Sequence, residues 1–157
     1  MNCQITSEPV LMKSINIVDP CELDKIVDII HDYHFDIDAI ENDNDTFKIK
    51  IAVDSVPTIV RKKFFVLKQF ETKVRECVLC IYGVKSYDIE DTEKIGMYPF
   101  NEINFNSDDC TVSILCSIPI KITINVAYFK MSLDITDKII QTKKNWGIFK
   151  SLWHDYV

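Results

Sequence analysis

Glycine is scarce in this 157-residue chain, with three residues in all. A phosphate cradle is built from successive backbone amides in turns that favour glycine, so three scattered glycines argue against one. Histidine is equally scarce, at His31, His34 and His154. No GxSxG, HExxH or GxxxxGK[ST] occurs, and a Cys–His pair has no local signature, so nucleophilic catalysis is poorly supported. No apolar run approaches the roughly 18–20 residues that a membrane-spanning helix needs. The opening residues, MNCQITSEPVLMKS, lack a basic segment followed by an apolar core, so a signal peptide is not expected and a cytoplasmic location is.

What is present is ordinary for a globular chain: 47% hydrophobic and 27% charged residues. At this length roughly two-thirds of the unfolded surface is buried on folding, so one α+β domain over 1–157 is expected without a cofactor. The net charge of −6 is uneven: residues 1–60 hold 12 acids and 4 bases, residues 61–157 hold 12 acids and 14 bases. A nucleic-acid binder is usually basic overall. The expected partner is therefore a basic protein, with no nucleic acid and no membrane.

Six cysteines, Cys3, Cys21, Cys77, Cys80, Cys110 and Cys116, are expected to be reduced thiols in the absence of a secretory signal. Cys77 and Cys80 spell CxxC within an apolar, strand-like run. Strand positions three apart face opposite sides, which suits neither a metal nor a redox pair.

The clearest local signal is residues 19–54. Asp19 and Pro20 read as N-cap and first helical residue, Glu22 completes a capping-box pattern, and Val18 and Leu23 occupy staple positions. Leu23, Ile26, Val27, Ile30 and Tyr33 follow helical spacing, predicting a helix from about Pro20 to Asp32. The period then changes to two. Phe35 and Ile37 alternate with His34, Asp36 and Asp38, and after Asn42–Asp45 the run Phe47, Ile49, Ile51, Val53 predicts a hairpin whose Lys48 and Lys50 face acids of the first strand.

Further strands are predicted around Val10–Val18, at Phe64–Leu67, Glu76–Tyr82 and Ile120–Val126, and in a hairpin joining 101–106 to 110–117. Gly83 suggests a bulge or close approach, Asp88–Pro99 a connection, and the phase flip near Ala127–Tyr128 a bulge. The tail from Thr136 reads as two short amphipathic helices separated by Gly147, with Phe149, Leu152, Trp153 and Tyr156 on one stripe. The predicted fold class is α+β: one N-terminal helix on a mostly antiparallel sheet of about seven strands, with a helical C-terminus.

Ten carboxylates and one lysine lie between Asp19 and Asp45. Their simplest reading is a solvated face. Their functional reading is a partner-binding rim of Asp32, Asp36, Asp38, Glu41, Asp43 and Asp45, because a carboxylate-rich surface steers a basic partner to it. His31, His34 and Asp36 are the alternative, as ligands of a small metal-dependent hydrolase. Two basic groups, Arg61–Lys63 and Lys138/Lys143/Lys144/Lys150, lie near Trp146 and Trp153. That mixture serves single-strand binders, but reads more simply as a solvated helix face over buried aromatics. A C-terminal aromatic helix from Trp146 to Tyr156, docking as a structural subunit, is the third reading.

The order of helix, His-Asp, acid-rich strand, polar turn and alternating strand in ELDKIVDIIHDYHFDIDAIENDNDTFKIKIAVD resembles small bacterial proteins of unknown function, some of them immunity proteins found beside polymorphic toxins. The resemblance implies a non-enzymatic binding protein and carries over no catalytic residues.

Overall fold

The computed structural model describes residues 14–63, 67–117 and 119–148. Eleven strands dominate it: β1 (Ser14–Ile17), β2 (His34–Asp36), β3 (Glu41–Asp43), β4 (Thr46–Asp54), β5 (Thr58–Lys63), β6 (Leu67–Tyr82), β7 (Val84–Asp91), β8 (Met97–Asn106), β9 (Thr111–Cys116), β10 (Ile120–Val126) and β11 (Met131–Ile148). The helical part is a 3-10 turn at Pro20–Glu22 running into the short helix α1 (Asp24–Ile30), with a second 3-10 turn at Ile37–Ala39. Every strand pairing among the described residues is antiparallel.

The helix opens as a 3-10 turn that Asp19 and Pro20 start, with α1 beginning only at Asp24. Asp19 Oδ1 accepts a hydrogen bond from Cys21 N at 2.9 Å, and Pro20 opens the turn. Glu22 pairs with Lys25 rather than reaching back to the cap, and Val18 is exposed, so no staple closes. α1 buries Ile26 and Ile30, one turn apart on one face. It ends at Ile30, capped by His31; the next residue, Asp32, adopts the left-handed conformation (φ 66°) and donates its N–H to Phe100 O at 2.9 Å.

The sheet order is β1-β11-β6-β4-β2-β8-β9-β10-β7, with β3 added on β4 and β5 on β6. In a flat sheet β4 and β7, five strand spacings apart, would be separated by about 24 Å. Instead Phe47 of β4 and Tyr87 of β7 meet edge to face at 5.0 Å. The sheet therefore curls on itself, as its right-handed twist favours. Inside the curl, alternating side chains (Ile49 and Ile51, Leu79 and Ile81, Ile122 and Ile124) and the buried face of α1 form one cluster. Tyr98 and Phe100 pack there against Phe35.

Two strand-to-strand passages meet at one corner. β6 turns into β7 through Gly83 (φ 71°), and β10 passes to β11 through Ala127–Lys130. Ala127 N donates to Gly83 O at 2.7 Å and Tyr82 N to Lys130 O at 3.0 Å. The close approach expected at Gly83 is there, and the phase flip after Val126 marks this passage rather than a bulge within one strand.

The predicted fold class needs correction. Among the described residues the C-terminal part is not helical: Met131–Ile148 is a single 18-residue strand. Its register with β6 runs from Met131↔Ile81 to Ile148↔Leu67. Shifts around Ile139 insert bulges that absorb the non-alternating sequence. Pairing with a long neighbour overrides local helical spacing. Among the described residues the sheet holds eleven strands rather than about seven, because the stretch read as one strand at 34–38 breaks at Ile37–Ala39, because Thr58–Lys63 is a strand, and because Asp88–Pro99 contains the end of β7 and the start of β8. The predicted helical stripe of Phe149, Leu152, Trp153 and Tyr156 lies outside the described residues. So do Phe64–Val66 and residues 10–13 of the Val10–Val18 strand, whose described part contains β1 (Ser14–Ile17).

Candidate partner-binding face

Asp32, Asp36, Asp38, Glu41, Asp43 and Asp45 are all exposed, but they serve different local ends. Asp32 follows the C-cap of α1, with its carboxylate 3.1 Å from His31 Nδ1. Glu41 and Asp43 stand on β3, in register with β4 as Glu41↔Lys48 and Asp43↔Thr46. Lys50 Nζ donates to Glu41 Oε1, and Lys48 Nζ lies 3.7 Å from Asp43 Oδ2, so these lysines face acids of β3 rather than Asp36 and Asp38 of the strand expected opposite them, which pairs with β4 only at Phe35↔Ile51. The hydrogen bond and charge of Lys50 hold the Glu41 carboxyl below its usual range. Asp45 closes the hairpin beside Asn44, whose positive φ of 54° asparagine tolerates. Its carboxylate accepts from Thr46 Oγ1 at 3.3 Å.

Asp36 and Asp38 are different. Asp36 Oδ1 caps the 3-10 turn by accepting from Asp38 N at 2.9 Å. Among the described residues neither carboxylate pairs with a cation. β2 pairs with β8 as Asp36↔Met97, and Ile37 N donates to Gly96 O at 2.9 Å. This register sets the exposed Met97 (48% exposed) opposite Asp36, and the exposed Ile95 (54%) lies one residue before Gly96, whose carbonyl holds Ile37. Nothing in local periodicity points to Ile95 or Met97. One lies in the β7–β8 loop and the other at a strand end, and only the pairing with β2 unites them with Asp36.

The loop that presents Ile95 is rigidly tied. Asp91 Oδ1 accepts from Lys94 N at 2.9 Å and from the hydroxyl of Tyr98, and Tyr98 Oη accepts from Ile95 N at 3.0 Å. Lys94 and Gly96 both have positive φ, 52° and 89°. Burial, then the hydrogen bond to Asp91, push the Tyr98 phenol up.

The metal alternative gains no geometry. His34 and Asp36 share one exposed side of β2, while His31 is taken up by Asp32. Among the described residues no three His, Cys, Asp or Glu side chains are grouped to hold a metal ion. Cys77 and Cys80 are both buried and, three apart on β6, face opposite sides. Burial pushes the Cys77 thiol up to about 11 and raises Cys80 too, the reverse of what an attacking thiolate needs. Among the described residues no helix is long and apolar enough to cross a membrane. Comparison with protein-family models, with curated proteins and with solved structures finds no match to this chain.

Proposed function

We propose that this chain is a non-enzymatic binding module whose Asp36–Asp38 turn and neighbouring Ile95 and Met97 dock a basic protein. The arrangement of an apolar centre beside unpaired carboxylates carries this reading. Protein interfaces draw most of their energy from a few desolvated apolar anchors, while rim charges set association rate and choice of partner. Asp32, Glu41, Asp43 and Asp45 extend the acidic field around that centre. Glu41 and Asp43 contribute less, because Lys50 and Lys48 already answer them.

The narrower form of the reading is an immunity protein that covers the basic cleft of a toxin. It is supported by the acidic face and by the outline shared with immunity-like bacterial proteins. A cytoplasmic location accompanies it, supported by the free thiols of Cys21, Cys77, Cys80, Cys110 and Cys116.

Affinity capture from a lysate of the native source tests the module, with the wild-type chain and an Asp36→Lys/Asp38→Lys/Met97→Ala variant as baits. The expected result is a basic protein held by the wild type alone and released by salt. Identical captures by both baits, or a capture that high salt leaves intact, overturn the reading.

A further inference from the structure

A three-stranded arm extends from the curled sheet. β4 pairs with β6 only over residues 74–82, and β1 pairs with β11 only over 131–134. Beyond Val74, β6 continues between β5 and β11 alone. The buried core cluster contains no residue of this extension. Residues 58–63, 67–75 and 136–148 carry nine bases and two acids, in a chain whose net charge is −6, although Lys138 and Lys143 pair with Glu76 and Asp54 at the arm's base. The two basic groups that look unrelated in the sequence, Arg61–Lys63 and Lys138–Lys144, thus stand on one arm.

Register defines one face of it. Arg61 and Trp146 both oppose Gln69, one from each side, so the three side chains form a row. Lys144 opposes Glu71 in the next row on that face, its Nζ 3.5 Å from Glu71 Oε2, so phosphate would have to displace that carboxylate; Arg75 opposes Ile139 at its foot and lies 3.6 Å from Asp137 Oδ1, leaving Arg61 as the cation of the face with no ion pair among the described residues. Trp146 is 45% exposed. Arg75 Nε is buried with no hydrogen-bond partner among the described residues. Trp146 is a half-exposed indole outside the main core cluster, on a strand face it shares with Arg61 and Lys144.

We propose that this arm binds single-stranded nucleic acid, with Trp146 as a stacking platform and Arg61 and Lys144 as phosphate contacts. Sheet faces present aromatics to unstacked bases in this way, and cations beside them hold the backbone. Duplex is disfavoured on size. Three strands with their flanks span about 14 Å, whereas the major groove is about 12 Å wide and admits a two-stranded ribbon. An acidic protein would be drawn by the same charge but would gain nothing from stacking on Trp146. The acidic remainder of the surface confines the contact to the arm. The arm and the Asp36–Asp38 face share no residues, so the two proposals stand separately.

Fluorescence anisotropy of labelled oligothymidylate, titrated with the full chain at low ionic strength, tests this. Saturable binding is expected, weakening with salt by a log–log slope of about −0.7 per phosphate neutralised. Trp146→Ala is expected to weaken it roughly 5- to 100-fold, Trp146→Phe to retain most of it, and Arg61→Gln/Lys144→Gln to weaken it and flatten the salt slope. Asp36→Lys/Asp38→Lys should leave the arm's affinity no weaker. Circular dichroism checks each fold; if Trp146→Ala does not fold, Trp146→Phe and the Gln pair decide. No saturable binding, equal affinity for duplex, equal competition by polyglutamate or heparin, or an unaffected, folded Trp146→Ala would each overturn the proposal.

Discussion

The ring of Tyr128 stands where a side chain on Gly83 would have to go: Cε1 lies 2.8 Å from the position of a Cβ there. This contact closes the corner at which β6 enters β7 and β10 passes to β11. Two effects compete in Gly83→Ala, the ring and the backbone. Tyr128 is half exposed, so its ring can swing aside at small cost. The φ of 71° cannot be relieved without unmaking the corner. Gly83→Ala is therefore expected to destabilise by about 1–2 kcal/mol through the left-handed penalty, read as a lower urea midpoint. Adding Tyr128→Ala should not restore it; full rescue would show that the ring, not the backbone, dominates.

Lys94 offers the opposite change. It is exposed and holds φ 52° in the turn capped by Asp91. Lys94→Gly removes a left-handed penalty of about 1 kcal/mol, partly offset by the greater freedom of glycine in the unfolded chain. A net gain of a few tenths of a kcal/mol is expected in chemical denaturation. A loss would mean that the lysine side chain contributes something beyond its backbone.

Tyr98 makes stability sensitive to alkali. Its folded-state pKa is raised above the ordinary value, by burial first and then by Asp91. A raised pKa favours the protonated form in the folded state. The corresponding stability is fully present below about pH 10 and is lost as pH rises through the folded pKa. Tyr98→Phe should weaken the fold at neutral pH, by orphaning Ile95 N and removing one of the two donors to Asp91, and lessen the alkaline loss. Urea midpoints of both proteins across the alkaline range give the comparison, and parallel curves would refute this role.

The thiols should react in an order set by burial. Cys77 and Cys116, both pushed up to about 11, hold roughly one thiolate in a thousand at pH 8. Cys21 is exposed on the first turn, although Asp19 raises its pKa. Peptide mapping after brief iodoacetamide treatment is expected to find Cys21 modified, with Cys77 and Cys116 labelled only after unfolding. Early labelling of Cys77 would mean that β6 opens at its centre in the native state.

What the sequence by itself determined is local. Asp19 and Pro20 start the helical turn because a carboxylate and a proline suit groups the first turn leaves unbonded. The Ile120–Val126 alternation and the 106–111 turn are legible because a half-buried strand repeats every two residues. The acidity of 19–45 is plain from composition. Tertiary structure decided the rest. Residues 136–148 have helix-like spacing of apolar side chains, yet pair along β6, because a long neighbouring strand offers more hydrogen bonds than an isolated short helix can keep. Ile95 and Met97 join Asp36 only through the β2–β8 register, and Arg61 joins Trp146 only across Gln69. Both candidate surfaces unite residues some sixty to eighty-five positions apart, a distance over which composition and periodicity carry no information and only strand pairing does.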